Sequence, residues 1–343
     1  MITVAVVGCG QWGMNHIRNL SALPEVSVKW CCDVSTERLQ MMQQQYPGIL
    51  VTPHLEVLLN EPSIDGVIVA TPTATHYAVV KAALEQGKDV LCEKPMTRSV
   101  AECEDLIRLA AQRQHLLMVG HVFVFNPAIQ KLYTYISSGT LGRLYYLSAR
   151  RTNLGPIRSD VDAVWDLASH DLSIFDYLLD GRLPVRISAS GGAFLSPQRA
   201  DVAFISLEYP QHIVAHIHVS WLDPQKRREI TVVGSDKMAI FNDVALEAPL
   251  WLYDKGVRTM EPSLYTTYEQ FRALPWERDS IVPHLPKIEP LFSEVSHFVE
   301  CIQQRRPPRT DGQSGLRVIR TLEALSASMR SNGAPVIVAH ATP

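Results

Sequence analysis

The chain has 343 residues, 46% hydrophobic and 20% charged, and Lys+Arg 32 against Asp+Glu 35 leaves a formal net charge of −3. That balance excludes a disordered, coiled-coil or fibrous chain, and the length fits two or three domains of about 100–200 residues. It also excludes a globally basic field for nucleic acid or an anionic membrane, so any bound anion must be held by a local cluster.

The first 120 residues alternate apolar runs with helical patterns. Strands are predicted at 2–7, 26–32, 49–51, 66–70, 88–92 and 116–119, and helices at 13–20, 35–45, 54–60, 75–86 and 99–112. Runs such as Gly66–Ala70 show no polar alternation, as strands buried on both faces require. The expected class is a doubly wound α/β domain with a parallel sheet, at about 1–121.

Beyond residue 125 the pattern changes. A helix is predicted at 126–138, a strand at 144–150 and a helix at 166–179. Strands follow at 185–190, 202–207, 213–221, 229–234 and 237–241 with only short connections, which argues for a large, open, mostly antiparallel sheet. Residues 243–288 read as short strands and loops, and helices at 290–304 and 313–331 close the chain. Residues 122–343 are thus expected to form a second, α+β domain for substrate binding and oligomerisation, with helix 313–331 packing back on the first.

Six cysteines (Cys9, Cys31, Cys32, Cys92, Cys103 and Cys301) contain no C-x-x-C pair. They read as free thiols of a reducing compartment. No apolar run reaches the roughly 18 residues of a membrane span, and the start runs into a strand without a basic leader region. The expectation is a soluble cytoplasmic protein with no nucleic-acid or membrane partner. His212, His216 and His218 share a parity that places them on one strand face. With no Cys, Asp or Glu completing a set, they read as a polar sheet face or a subunit interface rather than a metal site, so no metal is expected. An open sheet with one uncovered face points to a homodimer or homotetramer built on it.

Gly8-Cys9-Gly10-Gln11-Trp12-Gly13 is a G-x-G-x-x-G turn between a predicted strand and a helix. Gly8 permits the turn, Gly10 the approach of a pyrophosphate, and Gly13 close packing of helix on strand. The helix N-terminus offers free N–H groups to phosphate. Asp33 stands 20 residues beyond Gly13, where a carboxylate receives the adenosine ribose. It favours NAD over NADP, with Arg38 nearby keeping NADP open.

Two further motifs carry a family resemblance: Glu93-Lys94-Pro95 after the fifth strand, and Thr71-Pro72-Thr73 with His76 after the fourth. With the glycine turn, and with Arg309-Thr310-Asp311-Gly312 followed by Gly315-Leu316, the chain resembles the glucose-fructose oxidoreductase/inositol dehydrogenase family over nearly its whole length. The resemblance implies NAD held by Gly8, Gly10, Gln11, Trp12, Gly13, Asp33, Thr71, Thr73, His76, Glu93 and Lys94. It implies that Lys94 faces the nicotinamide and the substrate hydroxyl, and that Pro95 is conformationally special, often cis.

Asp166 and His170 are spaced i and i+4, which places both on one face of a helix. The resemblance makes this pair part of the catalytic set with Lys94. Either His170 or Lys94 would take the hydroxyl proton. Arg150, Arg151 and Arg158 read as a loop with the makings of a diphosphate clamp. Arg151, Asn153, Arg158 and Trp165 resemble the substrate side of family members acting on UDP-N-acetyl sugars. The implied reaction is oxidation of the 3-hydroxyl of UDP-N-acetylglucosamine, a nucleotide-sugar substrate, ahead of an aminotransferase. The uronate relative, a simple sugar or inositol, and a non-catalytic NAD-binding regulator are the alternatives.

Overall fold

A computed structural model describes residues 1–158, 160–197, 199–258 and 274–338. The N-terminal half alternates strand and helix throughout: β1 (Ile2–Val7), α1 (Gln11–Leu20), β2 (Val26–Cys32), α2 (Thr36–Gln45), β3 (Leu50–Thr52), α3 (Leu55–Leu59), β4 (Gly66–Val69), α4 (Thr73–Glu85), β5 (Asp89–Glu93), α5 (Val100–Arg113) and β6 (Leu117–Gly120). Serines mark two of the helix starts. Ser35 and Ser99 accept from the backbone N–H of Arg38 and Glu102 and cap α2 and α5.

The six strands form one parallel sheet in the order β3-β2-β1-β4-β5-β6. The order reverses between β1 and β4, and ligands of open α/β sheets bind at such a switch point. Every residue of β4, β5 and β6 is buried, so the unalternated apolar runs have their physical cause.

The remainder comprises α6 (Pro127–Ser137), β7 (Leu144–Leu154), α7 (Ser169–Leu178), β8 (Arg186–Gly192), β9 (Val202–Tyr209), β10 (Ile213–Ser220), β11 (Leu222–Gly234), β12 (Met238–Asn242), β13 (Leu250–Arg258), β14 (Leu274–Ile281), α8 (Pro290–Gln304), α9 (Gly312–Arg330) and β15 (Val336–Ile337). Strands β7 to β15 form a nine-stranded sheet in the order β14-β13-β12-β11-β7-β10-β9-β8-β15, antiparallel except between β7 and β10. Residues 243–288 thus contribute two full strands where the sequence suggested only short ones; the stretch 259–273 lies outside the described residues.

Along β10 Ile213, Ala215, Ile217 and Val219 are buried, while Val214 and His216 on the other face are exposed. His218 stacks there on Phe204 of β9, with ring centroids 4.5 Å apart. His212 departs from the expectation: it ends a 3-10 turn with φ +60°, ahead of the strand.

The chain divides into two compact units. One holds Met1–Asn126, Leu172–Asp176 and Lys287–Glu323; the other holds Pro127–Asp171, Tyr177–Pro286 and the chain from Ala324. The sequence reading placed α8 in the second domain, but its packing places it in the first. Its apolar stripe of Leu291, Val295, Phe298, Val299 and Ile302 is buried, and Ile302 and Phe298 press on β4 at Gly66, where a Cβ would lie 2.9 Å from Ile302 Cδ1. Just after α8, Thr310 donates to the Val119 carbonyl of β6 at 2.7 Å. All six cysteines are free and buried. Among the described residues no helix is long and apolar enough to cross a membrane.

Candidate active site

The glycine turn follows β1 and is built for close approach. Gly8 has φ +95°, and a Cβ there would stand 2.6 Å from the Ala70 carbonyl oxygen. A Cβ on Gly13 would fall 1.8 Å from Gly8 O. Gly10 differs: the nearest atom to its Cβ position is Arg38 Nη1 at 4.0 Å. The protein's own packing therefore does not require a glycine at position 10, and the space kept open is a cradle for a ligand's backbone. Helix α1 begins there with no side-chain cap and no acid in its first turn, which leaves its N–H groups and dipole to an anion. Gln11 and Trp12 are exposed on that first turn.

Asp33 ends the β2 connection and is buried. Its Oδ2 accepts from the Cys9 N–H at 2.7 Å and its Oδ1 from the Ser35 N–H at 2.8 Å. The carboxylate thus fixes the turn and stands ready for a ribose. Arg38 reaches Asp33 Oδ2 at 3.5 Å and is otherwise largely exposed. These residues fit the pyrophosphate and adenosine ribose of a dinucleotide.

The loops after β4 and β5 are joined by His76. Its Nε2 lies 2.8 Å from the Thr71 carbonyl and its Nδ1 2.8 Å from the Pro95 carbonyl, and the ring is buried. His76 thus braces the two loops against each other. Thr73, also buried, opens α4. The Lys94–Pro95 peptide bond is cis, as the resemblance implies, and Gly155–Pro156 is a second cis bond.

Beneath Lys94 lies a buried acid–base group. Glu93 Oε1 accepts from His16 Nε2 of α1 at 2.8 Å, and its Oε2 accepts from the Lys94 N–H at 3.1 Å. Burial pushes the Glu93 carboxyl up, but the His16 hydrogen bond and charge, with Lys94, outweigh it and hold it below the usual range. Glu294 of α8 has both carboxyl oxygens buried, without hydrogen-bond partners among the described residues. Burial first and the Glu93 charge second hold it well above the usual range. Neither His16 nor Glu294 was singled out from the sequence, because a buried ionisable group looks like any solvated one until its neighbours are known.

In the second unit the expected arginine clamp does not form. The strand β7 runs on to Leu154, so Arg150, Arg151 and Asn153 lie on a strand rather than a loop. Alternation then sends Arg150 and Arg151 to opposite faces. Arg150 pairs with Asp223 at 3.0 Å, and buried Arg151 binds both oxygens of Asp171, with Nη2 to Oδ1 at 2.8 Å. Arg151 is therefore a strut of the framework. Asn153 donates to the Gly155 carbonyl and fixes the following turn. Arg158, a third exposed, pairs with Asp160 and reaches Asp166 Oδ1 at 3.2 Å.

Asp166 is also bound at Oδ2 by the indole N–H of buried Trp221, at 3.3 Å. Trp165 gives its own indole N–H to Ser326 Oγ at 3.0 Å. The expected continuous α-helix here is interrupted: Val164–Ala168 is a π-helical turn and α7 starts at Ser169. Asp166 and His170 straddle that junction, so the wider π turn alters the simple i, i+4 alignment. Such turns recur at functional sites. His170 is partly exposed at the start of α7. The signal missed was Trp221, whose role depends on strand pairing that no local pattern reveals. Among the described residues no group of His, Cys, Asp and Glu could hold a metal ion.

Residues 2–121 match the oxidoreductase family with an NAD-binding Rossmann fold, and residues 129–240 match the GFO/IDH/MocA C-terminal domain. The chain is 30% identical over 317 residues to the UDP-N-acetylglucosamine 3-dehydrogenase of Acidithiobacillus ferrooxidans, covering 92% of this chain and 93% of that protein. It is 27% identical over 227 residues to the inositol 2-dehydrogenase of Rhodococcus jostii, covering 64% and 62%. A solved structure of the Acidithiobacillus enzyme aligns with TM-score 0.82 at 27% identity over 96% of this chain and 98% of that one. With glycine turn, ribose carboxylate and two-part fold in agreement, the chain belongs to the GFO/IDH/MocA family of oxidoreductases and takes NAD as its cofactor.

Proposed function

We propose that this NAD-dependent oxidoreductase converts the C3 hydroxyl of UDP-N-acetylglucosamine to a ketone. The observation that supports the reading is 30% identity to a UDP-N-acetylglucosamine 3-dehydrogenase along 92% of the chain, against 27% along 64% and 23% along 91% for two inositol 2-dehydrogenases. Bound NAD supplies the hydride acceptor. The chain's residues hold and orient the sugar and take the hydroxyl proton.

Lys94 and His170 are the two candidate proton acceptors. A Lys94 ammonium opposes the negative charge developing on the substrate oxygen. An imidazole at His170 takes a proton near neutral pH. Asp166, held by Arg158 and Trp221, orients the sugar or the imidazole by hydrogen bonding. Of the three arginines Arg158 is retained as the ligand for a diphosphate, since it is partly exposed and is the one that reaches Asp166 of the catalytic set. Retention of both Lys94 and His170 argues against a non-catalytic NAD-binding regulator. The open sheet face around His216 and Phe204 is where copies of the chain would pair in a homodimer or homotetramer; a monomer by light scattering excludes that.

The test is a substrate panel with NADH formation as readout. UDP-N-acetylglucosamine is expected to give a kcat/KM at least about tenfold above UDP-N-acetylglucosaminuronate and myo-inositol, since built polar contacts discriminate at that level or better. A preference for inositol refutes the nucleotide-sugar assignment.

A further inference from the structure

His121 follows directly on β6, at the C-terminal edge of the six-stranded sheet. Gly120 lies so close to β5 that a Cβ there would stand 3.3 Å from both Glu93 Cα and Glu93 Oε2. The end of β6 is therefore held against the Glu93–Lys94 turn. The backbone around His121 is fixed: its N–H donates to the Val119 carbonyl at 2.7 Å, and its own carbonyl accepts from Val124 at 2.9 Å.

The ring is a different matter. His121 is 2% exposed, and among the described residues neither Nδ1 nor Nε2 has a hydrogen-bond partner. Buried polar atoms are rarely left so, and two on one ring call for a function. Burial, then the Lys94 charge, pushes the ring down to about 3, with Arg317 adding to the effect and Glu93 opposing it. The imidazole is therefore neutral at any working pH. It presents one lone pair and one N–H, on the residue that follows Gly120, the β6 partner of Glu93.

We propose that His121 is a positioning residue acting through Lys94, its lone-pair nitrogen accepting a hydrogen bond from the Lys94 ammonium when the site is loaded and aiming that group at the reacting hydroxyl. The proposal rests on the reading of Lys94 as a residue of the reaction. A neutral acceptor beside an ammonium stabilises the charged amine, so its removal favours the neutral amine.

The experiment uses the full chain with saturating NAD and reads Lys94 directly, by the pH dependence of its acylation with an amine-reactive probe followed by mass spectrometry. His121→Phe keeps the ring's bulk and burial but removes the acceptor. It is expected to lower the apparent Lys94 pKa by about one unit, a tenfold change in amine protonation. His121→Asn, whose amide oxygen accepts, restores most of the wild-type profile. A folded His121→Phe with the wild-type labelling profile overturns the proposal. If that variant does not fold, 15N-histidine spectra of otherwise native protein decide: Lys94→Met must shift the lone-pair nitrogen of His121, and an unchanged resonance overturns the proposal. Neither readout uses a sugar, so failure of the oxidation reading appears separately, as absence of turnover by wild type.

Discussion

Gly10→Ala separates the binding of NAD from the stability of the turn that holds it. Gly10 sits at φ −73°, ψ −167°, a conformation open to alanine, and the nearest atom to the new methyl is 4.0 Å away. Nothing in the protein resists the change, and reduced freedom of the unfolded chain can add about 0.4–1 kcal/mol of stability. The methyl instead occupies the space kept for the pyrophosphate. Displacing that group by a few tenths of an ångström or more weakens its backbone hydrogen bonds, and a loss of about 1.4–2.8 kcal/mol raises the Kd for NAD roughly 10- to 100-fold. Gly13→Ala is the contrast, because its methyl would lie 1.8 Å from Gly8 O. That overlap forces the helix off the strand, at a cost of at least about 1–3 kcal/mol. Thermal unfolding without NAD and NAD titration by tryptophan fluorescence read the two effects apart. An NAD affinity like wild type in Gly10→Ala, or equal destabilisation by both variants, refutes the reasoning.

The buried carboxyls give opposite pH signatures. Glu93 is held below its ordinary pKa, so its contribution to stability is present above that value and is lost as pH falls. Glu294 is held above its ordinary pKa, so its contribution is present at low pH and lost as pH rises. Glu93→Gln is therefore expected to destabilise at pH 7, with a gap that closes in acid. Glu294→Gln is expected to stabilise in alkali, with a gap that widens with pH; chemical unfolding across pH checks both. Asp33→Asn removes the charge that repels a 2′-phosphate, and it is expected to raise the NADP/NAD ratio of kcat/KM about tenfold or more, as steady-state kinetics would show. A wild-type enzyme that uses both cofactors equally contradicts the role given to Asp33. Asp171→Asn leaves buried Arg151 without its countercharge, a loss of about 3–5 kcal/mol measurable by denaturant unfolding.

The Rossmann half was legible because its strands are buried on both faces and read as unbroken apolar runs, each closed by a turn or cap signal. Gly8, Gly10 and Gly13 gained meaning from the strand before and the helix after them. The second unit was harder for a physical reason. Arg151 to Asn153 read as a loop because they are polar, yet they continue β7, with Arg151 buried against a carboxylate 20 residues on in the chain. Pattern reading counts a charge as exposed and cannot see its partner. The same blindness hid His121 and Glu294, whose character comes from missing partners rather than from sequence neighbours. The arrangement around Asp166 depends on Trp221 and on a π turn, both consequences of tertiary packing.

The most direct test of the account is NADH formation from UDP-N-acetylglucosamine by wild type, Lys94→Ala and His170→Asn, each first shown to be folded and to bind NAD. Wild type is expected to turn over, with a fall of about 10²–10⁴ in kcat for at least one variant and little change in NAD affinity for His170→Asn. Wild-type rates in both variants would contradict it.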